Sequence, residues 1–205
     1  KTVARNEVWK NNTDLYESGT ETAPDSWRVH YLLAVEYTRA MNKTSVPSEK
    51  KELFTKAISH FNKSDAIMAN NSDLLLLKGY AYEFGGFDDS AIICYSKVIK
   101  VDSNNKLAYN NLGAVLLRRN DYDQAIAVLS RVVAKDTAYT DAICNLAAAY
   151  GNKGMFKEAE KYYLRAIKIN PDQPRNVWQS MANIYHFMGD SVNAPKYRQI
   201  LNSKK

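Results

Sequence analysis

Tyr109-Asn110-Asn111-Leu112-Gly113, followed by Leu116, Tyr122, Ala125, Leu129 and Val132, is answered by Ile143-Cys144-Asn145-Leu146-Ala147, then Tyr150, Phe156, Ala159, Tyr163 and Ala166. Gly113 and Ala147, Ala125 and Ala159, Leu129 and Tyr163, and Val132 and Ala166 each lie 34 residues apart. A fixed period of this size means a stack of supersecondary units, none able to bury its apolar face alone. Within one copy, Tyr109, Leu112 and Leu116 share one helical face, and Ala125, Leu129 and Val132 share another. Asn120-Asp121 and Asn152-Lys153-Gly154 punctuate the two faces as turns. Small residues at 113, 147, 125 and 159 let paired helices approach closely, so the unit is an antiparallel helical hairpin.

These positions resemble the tetratricopeptide repeat (TPR), whose aromatic, Leu-Gly, Tyr, Ala, aromatic and Pro pattern recurs at this spacing and ends here on Pro171. The resemblance implies an all-α solenoid, a right-handed superhelix whose first helices line the concave side. Extending the register backwards finds a copy at 72–105 through Leu75, Gly79, Tyr82, Ala91, Tyr95 and Val98. The copy at 27–71 is interrupted: Tyr31, Leu33, Ala34 and Tyr37 match a first helix, and Ala57, Phe61 and Ser64 a second, with a surplus near 41–51. The Pro47 and polar residues of that surplus predict a longer loop, with Ser48 as N-cap of a helix from Glu49. Copies follow at 106–139 and 140–174. After Pro171 the register slips by one, and Trp178, Met181, Ala182, Tyr185, Gly189 and Ala194 mark a terminal copy at 175–205. Residues 1–26 hold half a repeat. From Trp9, Leu15 and Tyr16 we expect a helix over Asn6 to about Gly19, with Trp9 buried.

Composition is that of an ordinary globular chain: 205 residues, 45% hydrophobic and 24% charged, with only 8 Gly and 5 Pro. A net charge of +6 is spread among acidic residues, which reads as a solvated basic surface. No run of about 18 apolar residues is present. Cys94 and Cys144 occupy unrelated positions, as small core or groove residues do. His30, His60 and His186 lack metal-ligand spacing and read as belonging to different copies. No phosphate-cradling loop or nucleophile elbow is present, so we expect neither catalysis nor a cofactor within these residues.

What remains is a binding groove. By register it carries Tyr31, Tyr80, Glu83 and Phe84 towards the N-terminus. Centrally it carries Asn110, Asn111, Ala114, Leu117, Arg118, Cys144, Asn145 and Ala148, and towards the C-terminus Gln179, Asn183 and His186. Asn111 and Asn145 should stack one repeat over the next, and a carboxamide can both donate to and accept from a peptide bond. Such a ladder would hold an extended peptide; TPR proteins of the O-linked N-acetylglucosamine transferase type resemble it in using groove asparagines. The charged clamp of chaperone-binding TPRs is not matched, because Ala114, Cys144 and Ala148 stand where it needs Lys or Arg. The expected partner is protein rather than nucleic acid, the 14 Tyr being accounted for by the repeat pattern. Ala194, Tyr197, Ile200 and Leu201 are expected as an uncapped apolar stripe open to self-association.

The segment Arg5-Asn6-Glu7-Val8-Trp9, with Leu15, Tyr16 and Ala23-Pro24, is similar to the junction in transmembrane-and-TPR O-mannosyltransferase-like proteins, where such a segment leaves the last membrane helix. That resemblance implies a soluble extracytoplasmic tail of a multi-pass membrane protein, in contact with a membrane only through a part upstream. The alternatives are a free-standing, cytoplasmic TPR scaffold and a nucleic-acid-binding helical repeat.

Overall fold

A computed structural model describes residues 11–203, which are helical throughout apart from short links. The helices are α1 (Asn12–Thr22), α2 (Trp27–Lys43), α3 (Pro47–Ile67), α4 (Ser72–Gly85), α5 (Asp88–Val101), α6 (Lys106–Arg118), α7 (Tyr122–Lys135), α8 (Thr140–Asn152), α9 (Phe156–Ile169), α10 (Arg175–Phe187) and α11 (Asn193–Ser203). They divide into two compact units after Asn105. Each unit is a stack of antiparallel hairpins, an all-α solenoid.

Four hairpins share one joint. Gly86, Asn120, Gly154 and Gly189 all have left-handed backbones, with φ of 81°, 63°, 84° and 73°. Each donates its N–H three residues back, and the residue after it donates five residues back, as Phe87 does to Tyr82 and Met155 to Tyr150. This double bond closes the orphan carbonyls of the preceding helix, and glycine adopts it without strain. Links between hairpins repeat as well: Asp102, Asp136 and Asn170 each accept from the backbone N–H two residues on, at 3.0, 3.1 and 3.0 Å.

The core is built where the periodicity places it. Ala34, Ala57, Ala91, Ala125, Ala147 and Ala159 are fully buried, so backbones meet closely and larger residues fill the space beside them. A Cβ on Gly79 would lie 2.5 Å from the Tyr95 ring, and one on Gly113 would lie 2.5 Å from Leu129 Cγ and Cδ2. The terminal hairpin packs Trp178, Met181 and Tyr185 against Tyr197 and Leu201.

Two expectations need correction. The surplus near 41–51 is not a loop: α2 and α3 run on to 17 and 21 residues, and only Thr44–Val46 connects them. Pro47 opens α3 at its first turn, with Val46 rather than Ser48 as N-cap. A proline whose fixed φ suits the start of a helix gives the same sequence signal as one in a loop. Secondly, Ala194, Tyr197 and Leu201 are 6%, 8% and 7% exposed, because α11 turns this stripe onto α10. The self-association reading loses that basis. Of the helix expected over Asn6 to about Gly19, Trp9 and the first residues lie outside the described residues; within them α1 is capped by the Asn11 side chain, which accepts from Asp14 N at 3.0 Å.

The one-residue slip after Pro171 is absorbed by Gln173, which is buried. Its side-chain amide donates to the carbonyls of Ala166 and Asn170 at 3.1 and 2.8 Å, while its backbone carbonyl accepts from Trp178 Nε1 at 3.0 Å. A buried side chain thus closes the backbone groups that the longer link leaves open.

Candidate functional site

In the N-terminal unit, the first-helix face opens into a cleft of about 490 Å³. Leu77, Tyr80 and Phe84 recur at helical spacing along α4, and Tyr31 and Val35 along α2, so both helices turn aromatic and aliphatic side chains to the same space. Phe61, fully buried on α3, forms part of its base. Tyr80 and Phe84 stack with centroids 6.5 Å apart. Polar groups stand at one edge, where Arg39 pairs with Glu36 at 2.6 Å on neighbouring turns of α2. Asn12 and Tyr16 complete the lining from α1. Phe84 and Leu32 keep 38% and 37% exposure in this cleft, an apolar surface left open to a partner. Burial, and secondarily Asp73, raises the Tyr31 phenol above its ordinary value, so it serves as a neutral hydrogen-bonding group.

Tyr31, Tyr80 and Phe84 therefore come together as their register places them. Glu83 does not join them. It accepts from the Tyr95 hydroxyl at 2.8 Å inside the α4–α5 hairpin. Tyr16, Leu32, Val35, Leu77 and Arg39 line the cleft without having been assigned to the groove from sequence, although Leu77, three residues before Tyr80, carried a readable signal.

The C-terminal unit is amide-rich. Asn145 Nδ2 donates to Asn110 Oδ1 at 2.9 Å, so the rung joins 110 to 145 rather than 111 to 145. Asn111 is 8% exposed, and its Nδ2 is buried without a hydrogen-bond partner among the described residues. It points away from solvent instead of offering itself to a ligand. Beside this rung, Ala114 and Leu117 are half-buried and Arg118 exposed. Cys144 Sγ sits 3.5 Å from Gln173 Oε1, and burial, with Asp141 second, pushes its thiol up to about 11. Ala148 and Asn183 share a smaller hollow of about 200 Å³ with Phe187. Gln179 donates to Asn183 at 3.0 Å, and His186 is exposed with its ring 5.9 Å from that of Phe187.

The histidines do not all belong to different copies. His30 on α2 and His60 on α3 meet with Nδ1 atoms 3.0 Å apart. No motif announces a contact between residues 30 apart within one hairpin. Among the described residues, no three His, Cys, Asp or Glu side chains converge as a metal site, and no helix is long and apolar enough to cross a membrane.

Comparison with known proteins places this geometry. Three tetratricopeptide-repeat family models match residues 72–105, 94–127 and 116–184, a continuous run from 72 to 184. The peroxisomal targeting signal receptor of Saccharomyces cerevisiae is 27% identical over 139 residues, covering 65% of this chain and 23% of the receptor. Human protein O-mannosyl-transferase TMTC1 is 27% identical over 188 residues, covering 89% of this chain and 21% of that protein. The chain thus spans less than a quarter of the length of either relative. Among solved structures, MamA matches with a TM-score of 0.69 at 28% identity, over 78% of this chain and 95% of that one. YrrB, described as a TPR protein with an unusual peptide-binding site, matches with a TM-score of 0.70 at 15% identity, over 92% of this chain and 91% of that one, a likeness of fold.

Proposed function

Because this chain belongs to the tetratricopeptide-repeat family, we propose that it works by gripping an extended stretch of another protein, anchored in the first-helix cleft of its N-terminal unit. The observation that carries this reading is the cleft itself, about 490 Å³ and lined by Tyr31, Tyr80, Phe84, Leu77 and Val35. That is the size and chemistry of a pocket for large apolar side chains, and aromatic anchors in such pockets dominate binding energy. In the Asn110–Asn145 pair, half-buried in the C-terminal unit, the rung takes one N–H of Asn145 and one lone pair of Asn110, which leaves the Asn110 N–H₂ and the Asn145 carbonyl for a peptide backbone.

A displayed library of random 12-residue peptides, selected on this chain at neutral pH, tests the proposal. Selected peptides should carry a bulky apolar residue. Tyr80→Ala or Phe84→Ala should weaken each by roughly tenfold or more, the cost of losing an interface anchor. Peptides that bind both variants as they bind the parent chain would refute the cleft as the anchor.

The alignment with the human O-mannosyl-transferase across 89% of the chain supports a wider proposal, that these repeats are the extracytoplasmic tail of a multi-pass, glycosyltransferase-like membrane protein. Sugar transfer would then belong to another part of the protein, and the cleft to acceptor or partner capture. Stretches of about 20 apolar residues encoded shortly before Lys1 are the expected result. Further 34-residue repeats in that place would favour the free-standing scaffold.

A further inference from the structure

The first-helix cleft is charged differently at its two ends. Its walls, α2 and α4, run in the same direction, each antiparallel to α3 between them. Asp73 stands in the first turn of α4, ahead of Leu77, Tyr80 and Phe84. Arg39 stands in the later turns of α2, beyond Tyr31 and Val35. Both charges are felt inside: burial first, then Asp73, raise the Tyr31 phenol, and Arg39 acts against them.

Arg39 is also held in a particular way. Its Nη1 donates to Glu36 Oε1 at 2.6 Å, with the arginine side chain 63% exposed and the glutamate 18%. Among the described residues nothing else engages the guanidinium, so its Nε–Nη2 edge is open. That edge is a planar fork whose two N–H groups match the two oxygens of a carboxylate. An exposed ion pair one turn apart adds little to stability. What Glu36 does is fix the guanidinium by one arm and leave the fork directed outward at the rim of the cleft.

We propose that the cleft reads a carboxylate: the segment it grips carries an Asp or Glu side chain two residues from its bulky apolar anchor, and Arg39 receives that carboxylate on its open fork. This deepens the peptide-binding reading and rests on it. Val35 and Arg39 are one helical turn apart, about 6 Å along the axis. Alternate residues of an extended chain point the same way about 6.6 Å apart. A residue anchored against Val35 and Tyr80 therefore sets its second neighbour beside Arg39. The neighbour on the opposite side runs towards Asp73, where an acid is disfavoured, so the charges also fix the direction in which the segment lies. Asn42 lines the cleft beyond Arg39, so the segment continues past the fork and the carboxylate belongs to a side chain within it.

The test is the random 12-residue library, displayed with its C-terminus joined to the carrier so that no terminal carboxylate takes part, and selected in parallel on the parent chain and on Arg39→Glu. On the parent chain Asp and Glu should be enriched over the input at one fixed position, two residues from the bulky apolar residue. On Arg39→Glu the same position should turn to Lys or Arg. For one parent-selected peptide, changing the acid to its amide should weaken binding about fivefold or more on the parent chain and under about twofold on Arg39→Gln, the coupling expected of a charge-assisted pair at an exposed rim. The absence of an acidic preference at that position on the parent chain, or an equal cost of the amide on parent and Arg39→Gln, overturns the proposal. The second comparison decides alone should Arg39→Glu fail to fold. Failure here is separable from failure of the cleft. Peptides weakened by Tyr80→Ala and Phe84→Ala but indifferent to Arg39→Gln keep the cleft and remove the carboxylate; peptides indifferent to all three remove both.

Discussion

Gly113→Ala and Gly151→Ala put the same methyl group into one unit, and the structure assigns them opposite signs. A Cβ at 113 would sit 2.5 Å from both Cγ and Cδ2 of Leu129, a fully buried side chain whose branch point cannot swing aside. Overpacking costs about 1–3 kcal/mol, and a clash with the branch point itself belongs to the upper part of that range, about 2–3 kcal/mol. Replacing glycine in a helix returns up to about 1 kcal/mol, so a net loss of about 1–2 kcal/mol is expected at 113. At 151 the nearest atoms would be Ala159 Cβ at 3.6 Å and Ile184 Cδ1 at 3.8 Å, ordinary contacts. Position 151 lies in the last turn of α8, where the helical gain is partial, so stabilisation of about 0.5 kcal/mol is expected. Urea titrations followed by circular dichroism at a common slope would read both changes, as would melting temperatures shifted by roughly 3–6 °C downward and 1–2 °C upward. The double variant Gly113→Ala/Leu129→Ala should cost less than its two single changes together, because the clash disappears with the leucine. Two single variants that shift in the same direction, or a neutral Gly113→Ala, would refute the packing argument.

Two further outcomes follow from buried polar groups. Tyr95→Phe should destabilise by about 1–2 kcal/mol, since the fully buried phenol donates to Glu83 at 2.8 Å; unchanged stability in denaturant titration would show the bond to be dispensable. Cys144, its thiol pushed up to about 11, should be alkylated by iodoacetamide at pH 7.5 roughly 100-fold more slowly than a free thiol, until denaturant exposes it; a rate like that of free cysteine in the native chain would contradict its burial.

Much of this fold was legible because helical packing is local and periodic. Gly79, Gly113 and Ala147 announce where second helices press closest, and Tyr95, Leu129 and Tyr163 fill the facing positions. The sequence was silent or ambiguous where one signal serves two conformations. Pro47 suits a loop and a helix start alike, and the hydrogen bonding around it settles the matter: Val46 N donates to Thr44 Oγ1 at 3.2 Å, with α3 beginning at once. The asparagine rung was displaced for another reason. The period relates residues 34 apart, but equivalence is not contact, and the side chains that meet are 35 apart. Asn110 faces the neighbouring helix where Asn111 turns into the interior. The cleft was half legible: Tyr31, Tyr80 and Phe84 were readable by register, whereas Tyr16 enters from a half repeat whose docking no internal copy can predict.

The recurring left-handed joint also governs where this architecture can change length. Gly86, Asn120, Gly154 and Gly189 each force the chain to reverse within a fixed number of residues, so a hairpin that keeps this joint also keeps its period. The first hairpin turns instead through Thr44–Val46 in extended backbone, and it is the hairpin whose helices have lengthened. Duplication of the jointed modules would propagate one size, whereas the extended link is a point of growth. Whole turns, about 3.6 residues to each arm, can be added there with both apolar faces kept in register, like rungs to a ladder with no crossbar at its top. A designer wishing to graft a longer arm or a reporter onto the chain would begin at residues 44–46 and leave the four joints untouched.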